Sequence, residues 1–292
     1  MRILVAGNSG QVACSLAELS SEKCEIIAVG RPELDLLDAS SISAAIERTA
    51  PNLIINAAAY TAVDQAESDK AAAFALNCDG ADQLAVAAAA GSIPLIHIST
   101  DYVFDGKGET AYREADPVAP SSIYGKSKLA GEQAVIAAQP MSLIVRTAWV
   151  VSPFGKNFCK TMLRLAQGHP KLRVVDDQIG SPTYAPHLAA ALVEMGNLAV
   201  AKQHDAPWGI YHLANRGSAS WCDVAKQTMT AAEKAGLASV PVEAITTAEF
   251  PTPAPRPANS RLDCGKAEAN FGIVLADWKS AIDDCVQRLA RQ

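Results

Sequence analysis

Short apolar runs alternate with longer amphipathic or alanine-rich segments along the first half of the chain. This alternation is typical of βαβ units, because the strands of a parallel sheet are buried on both faces and helices cover them. The predicted strands are Arg2–Ala6, Glu25–Val29, Leu53–Asn56, Leu95–Ser99 and Leu143–Arg146. The predicted helices are Gln11–Leu19, Ile42–Thr49, Asp69–Ala90 and Ser122–Ala138. The pattern therefore predicts an α/β fold with a doubly wound parallel sheet, whose ligands bind at the carboxyl ends of the strands.

The alternation becomes less regular beyond about residue 150. The elements predicted there are a strand at Leu172–Val175 and helices at Asn157–Gln167, Pro186–Leu198, Ser220–Ala235 and Trp278–Leu289. The segment Pro251–Pro257 has proline at every second position and can form neither a helix nor a central strand. We therefore expect a sheet domain over residues 1–150, with later segments returning to it, and a smaller, loop-rich domain over most of residues 151–292.

Composition and charge narrow the class of partner. The chain has 292 residues, of which 49% are apolar and 19% charged, and its formal net charge is -6. These values are ordinary for a globular protein, and the lack of a basic surplus or a charged block argues against a nucleic-acid or membrane-surface binder. A small-molecule partner becomes the expectation.

Location and metal content are predicted from short segments and from the cysteines. The longest apolar stretch, Leu84–Gly91, is far below the roughly 20 residues of a membrane span, and the apolar run Ile3–Ala6 is too short for a signal peptide. The seven cysteines include no Cys-x-x-Cys pair, and the five histidines include no His-x-x-x-His pair. We therefore expect a cytoplasmic protein without membrane contact and without a bound metal.

A glycine-containing turn follows the first predicted strand and opens the first predicted helix. Its sequence, from Gly7 to Ala13, has the spacing G-x-x-G-x-x-A. Such a turn lets backbone N–H groups and a helix N-terminus hold a pyrophosphate, which predicts a Rossmann-type NAD(P)-binding domain over residues 1–150. The alternative is a plain strand-to-helix turn. The candidate cofactor-binding residues here are Gly7, Asn8, Ser9, Gly10, Gln11 and Val12.

The residue after the second strand bears on the choice of dinucleotide. Many NAD-binding proteins of this kind place an acidic residue there for the ribose 2′-hydroxyl, whereas this chain has Arg31. A guanidinium group matches the geometry of a 2′-phosphate, so the sequence favours NADPH over NADH. Asp35 and Leu36 are candidates to flank the adenine, with a solvated surface loop as the alternative.

A tyrosine and a lysine stand four residues apart at the start of a predicted helix. Tyr124 and Lys128 therefore share one helix face, and Thr100 ends the fourth predicted strand. Carbonyl reduction needs a proton donor, and we expect the Lys128 ammonium to lower the pKa of Tyr124 and to bond the nicotinamide ribose. The Thr100 hydroxyl would orient the carbonyl. The alternative is a surface tyrosine beside a solvated lysine.

Several longer strings carry a family resemblance. They include Asn56–Asp64, Ser99–Gly106, Tyr124–Glu132, Arg146–Val150, Asn157–Leu163, Asp176–Thr183 and Pro251–Leu262. Together with the glycine turn, they resemble the extended short-chain dehydrogenase/reductases over nearly the whole chain. The resemblance implies a Rossmann-type domain, a smaller C-terminal substrate-binding domain, and reduction of the C4 keto group of dTDP-6-deoxy-L-lyxo-4-hexulose, a nucleotide sugar, with NADPH or NADH.

The resemblance also assigns residues to roles. It implies Thr100, Tyr124 and Lys128 as the catalytic set. The further cofactor-binding candidates are Asp35, Leu36, Ala58, Ala59, Tyr60, Thr61 and Ile98. The substrate-binding candidates are Thr100, Asp101, Tyr102, Val103, Phe104, Trp149, Asn157, Lys160 and Arg256. For Trp149 a place in the core is the alternative, and for Arg256 a charge on an extended linker.

Two other functions stay open beside the reductase, and two residues differ from those of related enzymes. A reductase or epimerase for another nucleotide sugar, and a non-catalytic NAD(P)-binding regulatory subunit, remain open. Asp101 is followed by Tyr102 and not by the glutamate of nucleotide-sugar dehydratases, which disfavours dehydration. The resemblance leaves magnesium open as a cofactor, but Ser15 stands where relatives that dimerise through magnesium carry glutamate, which disfavours a magnesium-bridged dimer. We expect a monomer or a homodimer.

Overall fold

The computed structural model describes all residues from Met1 to Gln292. The strands are β1 (Arg2–Ala6), β2 (Glu25–Val29), β3 (Leu53–Asn56), β4 (Leu95–Thr100), β5 (Ser142–Thr147), β6 (Val150–Val151), β7 (Leu172–Val175), β8 (Ile179–Gly180), β9 (Thr183–Tyr184), β10 (Gly209–His212), β11 (Ala219–Ser220), β12 (Val242–Ile245) and β13 (Asn259–Ser260). The α-helices are α1 (Gln11–Ala17), α2 (Ala39–Thr49), α3 (Val63–Ala66), α4 (Lys70–Phe74), α5 (Gly80–Ala90), α6 (Ile123–Ala138), α7 (Phe158–Ala166), α8 (Ala185–Lys202), α9 (Trp221–Lys234), α10 (Gly265–Phe271) and α11 (Trp278–Leu289). None of the helices combines the length and hydrophobicity that a membrane span requires.

Six strands form the central sheet in the order β2-β1-β3-β4-β5-β10. Every neighbouring pair is parallel. The strand order reverses at β1, so a crevice forms between the carboxyl ends of β1 and β3, where open α/β sheets bind their ligands. Residues after β1, β3, β4 and β5 meet at this edge. The fold confirms the predicted doubly wound parallel sheet.

Two apolar clusters cover the two faces of the sheet. On one face, Leu16 of α1 and Leu192 of α8 pack with the strands. On the other face, Ile42 of α2, Leu84 of α5 and Val135 of α6 do the same. Helices on both sides explain why the strands are continuous apolar runs. Because α8, β10 and α10 belong to the first cluster, parts of the chain beyond residue 150 pack on the sheet.

The rest of the C-terminal part has its own packing around α7, α9 and α11. One cluster joins Cys159, Val224 and Ile282, and a second joins Met162, Leu172 and Met229. Small sheets complete this region: β7 pairs with β12, β8 lies between β11 and β13, and β6 pairs with β9. These short strands hold the loops that face the carboxyl edge of the central sheet.

One predicted helix is interrupted in the structure. The sequence predicts a single helix over Asp69–Ala90, but α4 and α5 are separated by a π-helical segment at Ala75–Asp79. The Asn77 side chain, inside this segment, donates to Tyr60 O at 3.1 Å and to Ser127 Oγ at 3.0 Å. The extra residue in the turn directs Asn77 toward α6 and the loop after β3, a role that π-bulges often have near functional sites. The sequence prediction also lacked β10 and α10.

Candidate active site

A cavity of about 620 Å³ lies at the carboxyl edge of the sheet. This volume is within the range of small-molecule and cofactor sites. Its wall contains these predicted residues: Ser9, Gly10, Gln11, Val12, Ala58, Ala59, Thr61, Ile98, Thr100, Asp101, Tyr102, Tyr124, Lys128 and Trp149. The other members of the wall were not predicted from the sequence: Ala57, Val63, Ser99, Thr147, Ala148, Val150, Gly155, Lys156 and Trp221.

The glycine turn forms one end of the cavity. Gly7 has a φ of +107°, which favours glycine, and a Cβ there would lie 3.4 Å from Ala58 N. Gly10 precedes the first turn of α1, and no atom lies within 4 Å of the position that its Cβ would take. The open backbone at Gly10 and the cavity that runs from it to Tyr124 fit a bound dinucleotide.

Gln11 ties the glycine turn to the segment after β5. Its amide donates to Val150 O at 3.3 Å, and its side-chain oxygen accepts from Ser152 Oγ at 3.0 Å. Ser15, one turn further along α1, is buried and donates to Gln11 O at 2.8 Å. The Ser15 hydroxyl is therefore engaged within its own helix.

Five predicted cofactor residues lie near the end of β2, outside the cavity wall, and the first of them is Gly7, whose N–H donates to Val29 O at 2.7 Å. Asn8 packs against Gly30, where a Cβ would lie 2.4 Å from Asn8 Oδ1. Arg31 is exposed and makes no ion pair. Asp35 accepts from Leu37 N at 3.0 Å, and Leu36 is buried in the cluster below α2. Tyr60, which follows β3, also lies outside the wall.

The strand β4 and the helix α6 bring the three predicted catalytic residues together. Thr100 ends β4, and Tyr124 and Lys128 lie in the first turns of α6. The helix begins at a Ser122 cap, whose hydroxyl accepts from Gly125 N at 3.1 Å. A Cβ at Gly125 would lie 2.2 Å from Tyr102 O, so only glycine lets α6 approach the turn after β4 this closely.

Burial sets the electrostatics of the catalytic pair. It raises the pKa of Tyr124 to about 12, and a hydrogen bond with Thr100 offsets part of this effect. Burial lowers the pKa of Lys128 from 10.5 to about 8, and the Glu132 carboxylate opposes this shift. The expected lowering of the Tyr124 pKa by Lys128 is therefore wrong for this structure. Lys128 Nζ is instead bound to Ile98 O at 2.8 Å and to His97 Nε2 at 3.1 Å.

Asp101 and Tyr102 follow Thr100 in the cavity wall. Burial raises the pKa of Asp101 to about 6, against hydrogen bonds from Ser260 and Thr100 that lower it. Its Oδ2 is buried and has no partner. Tyr102 packs edge-on against Tyr124 with ring centroids 5.5 Å apart, and burial raises the pKa of Tyr102 well above its usual value.

Two tryptophans form the opposite part of the wall. Trp149, with a φ of +47°, stacks on Trp221 with ring centroids 3.6 Å apart and planes 9° apart. Gly180 leaves room for this ring, because a Cβ there would lie 2.4 Å from Trp149 Cε2. Trp149 therefore lines the cavity and is not a simple core residue. No sequence signal marks Trp221, which is the first residue of α9 and reaches the cavity through the packing of that helix.

Five predicted substrate residues lie outside the cavity wall. Val103 and Phe104 are buried in a small cluster with Tyr112. Asn157 caps α7 by accepting from Lys160 N at 3.1 Å, and Lys160 Nζ donates to Pro153 O at 3.1 Å. These four side chains serve local packing and capping in this structure.

The fifth of these residues, Arg256, lies on the proline-rich segment. Its Nη2 donates to Asp64 Oδ2 at 2.7 Å, and Asp64 Oδ1 accepts from Ala254 N at 3.1 Å. Asp64 belongs to α3, directly after the loop that follows β3. The ion pair therefore joins the proline-rich segment to the sheet domain, and Arg256 is engaged rather than a free charge on a linker.

The chain matches the family model described as the RmlD substrate binding domain over residues 1–291. It is 45% identical over 281 residues to a dTDP-4-dehydrorhamnose reductase of Sinorhizobium fredii, covering 96% of this chain and 95% of the relative. It is 42% identical over 285 residues to one of Aggregatibacter actinomycetemcomitans, covering 96% and 97%.

Solved structures agree with these matches. A dTDP-4-dehydrorhamnose reductase of Clostridium acetobutylicum superposes with a TM-score of 0.91 at 35% identity, covering 99% of both chains. One of Bacillus anthracis, solved in complex with NADP, gives a TM-score of 0.90 at 35% identity, covering 97% of this chain and 98% of that one. The resemblance drawn from the motifs is confirmed: the chain belongs to the dTDP-4-dehydrorhamnose reductase family.

Proposed function

We propose that this chain reduces dTDP-4-dehydro-L-rhamnose, which is dTDP-6-deoxy-L-lyxo-4-hexulose, to dTDP-L-rhamnose with NADPH or NADH. The observation that carries the proposal is one cavity whose wall holds Ser9, Gly10 and Gln11 of the glycine turn at one end and Thr100, Tyr124 and Lys128 beside them. The relatives of 45% and 42% identity are named for this reaction. The product would serve the synthesis of rhamnose-containing polysaccharides.

The chemistry requires a hydride at C4 of the sugar and a proton at its oxygen. A reduced nicotinamide dinucleotide supplies the hydride when bound. Tyr124 gives its hydroxyl proton to the C4 oxygen, and its pKa of about 12 keeps that proton in place at neutral pH until the oxygen becomes strongly basic. The Thr100 hydroxyl, which donates to Asp101 Oδ1 at 3.1 Å in this structure, would turn its proton to the same oxygen and orient the carbonyl. The ammonium of Lys128, one helical turn away, would bond the nicotinamide ribose and so hold the dinucleotide beside Tyr124.

The rest of the wall suits a sugar nucleotide. The stacked Trp149 and Trp221 offer a flat apolar surface to the deoxysugar. The buried Oδ2 of Asp101 has no protein partner and would accept from a sugar hydroxyl. Lys156 in the wall supplies positive charge for a diphosphate, whereas Arg256, outside the wall, is paired with Asp64 and would contribute only by leaving that ion pair. Because Tyr102 follows Asp101, the site lacks the second acid that a dehydratase needs.

The choice of dinucleotide rests on Arg31. Its exposed guanidinium, free of an ion pair, is available for a 2′-phosphate at the end of β2. We expect Arg31→Ala to weaken NADPH binding roughly 10- to 100-fold and to leave NADH binding within a factor of two, since one charged hydrogen-bonding contact contributes about 1.5–3 kcal/mol. Equal losses for both dinucleotides, measured by fluorescence titration, would contradict this role.

The proposal is tested by NADPH oxidation with the keto sugar generated in situ by the upstream enzymes. The expected result is turnover that depends on the dTDP keto sugar, with dTDP-L-rhamnose identified by NMR. A panel of other 4-keto nucleotide sugars tests for a different reductase, and proton exchange without NADPH consumption tests for an epimerase. Binding of NADPH without any turnover would indicate a regulatory subunit.

We place the reaction in the cytoplasm, in a monomer or homodimer, and the unpaired state of all seven cysteines supports a reducing compartment.

A further inference from the structure

Two buried residues without a role in the proposed reaction position Lys128. His97 contacts it directly, and Asn56 acts through His97. His97 Nε2 lies 3.1 Å from Lys128 Nζ, and Asn56 Nδ2 lies 3.1 Å from His97 Nδ1. Asn56 and His97 are each 1% exposed, and Lys128 is 2% exposed. A hydrogen-bonded chain therefore runs from the end of β3 through β4 to the helix α6.

The direction of each hydrogen bond follows from the backbone at Asn56. Asn56 Oδ1 accepts from Ala58 N at 3.1 Å, which fixes the orientation of the amide. The amide NH₂ group then points at His97 Nδ1, so that Nδ1 must be an acceptor. A neutral imidazole with Nδ1 unprotonated carries its proton on Nε2. That N–H bond points at Lys128 Nζ.

An Nε2–H donor can pair only with the neutral amine of Lys128. The amine has a lone pair for His97 and still donates to Ile98 O at 2.8 Å. An ammonium would instead place two donors against each other. To avoid this, the His97 proton would have to move to Nδ1 and the Asn56 amide would have to turn, which puts its NH₂ group against Ala58 N–H.

The other titratable groups around Lys128 do not change this argument. Glu132, one turn further along α6, accepts from Arg146 at 2.9 and 2.7 Å and also from Ser99 Oγ, and it makes no hydrogen bond to Lys128. Tyr124 and Asp101 share the cavity wall with Lys128. Within this group, only His97 makes a side-chain hydrogen bond to Lys128 Nζ.

We propose that His97 is a positioning residue which, with its tautomer set by Asn56, holds Lys128 and favours its neutral amine. The proposal deepens the proposed function, because it explains how the charge on Lys128 changes close to neutral pH. Burial also favours the neutral forms of both residues, because it lowers the pKa of Lys128 to about 8 and that of His97 well below its usual value. The protonation state of Lys128 can therefore change close to neutral pH while His97 stays neutral.

The first test reads the tautomer directly and does not depend on activity. In protein labelled with ¹⁵N-histidine, the chemical shifts of the two ring nitrogens distinguish Nε2–H from Nδ1–H, and loss of the signals in His97→Leu assigns them. We expect His97 to be an Nε2–H tautomer that does not titrate between about pH 5 and 9. An Nδ1–H tautomer, or titration near its usual pKa, would overturn the proposal and leave the proposed function intact.

The second test follows the pH dependence of kcat/KM. Asn56→Asp presents a carboxylate to Nδ1, which reverses the tautomer and aims the Nε2 lone pair at Lys128. We expect the basic limb of the profile to move up by roughly one pH unit in Asn56→Asp and in His97→Leu, the size that one net hydrogen bond produces. His187→Leu is the matched control, because His187 Nδ1 also pairs with an asparagine amide, that of Asn215 at 2.9 Å, outside the cavity wall. An unmoved basic limb in Asn56→Asp with the tautomer reversed would overturn the proposal.

Discussion

Replacing Lys128 with methionine is expected to abolish activity and to change how stability depends on pH. Lys128 is 2% exposed, and its pKa falls from 10.5 to about 8 because burial penalises the charge. This shift corresponds to about 3 kcal/mol that the folded protein spends below pH 8 to keep an ammonium there. A methionine side chain of similar length removes that cost.

The sign of the pH effect follows from proton linkage. Between about pH 8 and 10.5 the unfolded chain binds a proton at Lys128 that the folded chain has released, so the wild-type free energy of unfolding rises with pH. The methionine variant has no such group. Below pH 8 it gains the burial cost of the charge but loses the hydrogen bond to Ile98 O, whose net contribution is about 0.5–1.5 kcal/mol. The stability of the variant relative to wild type should therefore fall by about 3 kcal/mol as pH rises through this window.

Urea denaturation of both proteins from about pH 7 to 10 measures this difference, and all other titrating groups cancel in it. Lys126→Met is the control, because it removes a lysine from the exposed part of the same helix. NADPH oxidation by the variant reports the loss of activity. If the stability difference between wild type and Lys128→Met stays constant over this range, Lys128 does not carry a depressed pKa and the electrostatic account of the site is wrong.

Two further predictions concern the tryptophan wall and the buried ion pair. Gly180→Ala places a Cβ 2.4 Å from Trp149 Cε2 and should lower kcat/KM for the nucleotide sugar roughly 10- to 100-fold with the Kd of NADPH unchanged; a change confined to NADPH binding would contradict it. Glu132→Gln leaves the buried guanidinium of Arg146 without its carboxylate and should cost about 3–5 kcal/mol in urea denaturation. Glu243→Gln, in an exposed ion pair, should cost about 1 kcal/mol or less, and similar losses in the two variants would show that burial is not the cause.

The fold of the first half could be predicted because its signals are local. The strands of the sheet are apolar runs and the glycine turn lies between β1 and α1, so periodicity and turn chemistry point to the same structure. The pairing of Tyr124 with Lys128 is also local, since four residues make one turn of α6. By contrast, β10 is a short strand whose place at the edge of the sheet is set by packing with β5.

The parts of the site that escaped prediction depend on contacts between distant segments. Trp221 reaches the cavity only because α9 packs where Trp149 can stack on it. His97 looked like one residue of a buried strand, and its contact with Lys128 exists only once α6 lies over β4. The lowered pKa of Lys128 could not be predicted either, because spacing along a helix indicates which residues are close but not how deeply they are buried.

The most direct test of the account is the kcat of Tyr124→Phe with the dTDP keto sugar, measured beside the Kd of NADPH. The substitution removes only the hydroxyl group that donates the proton, while the cavity wall and the glycine turn stay in place. Tyr112→Phe is the control, because its hydroxyl donates to Asp105 at 2.7 Å outside the cavity wall. We predict that Tyr124→Phe lowers kcat by roughly 10²- to 10⁴-fold with the Kd of NADPH unchanged, and that Tyr112→Phe retains turnover. Wild-type kcat in Tyr124→Phe would contradict the assignment of Tyr124 as the proton donor.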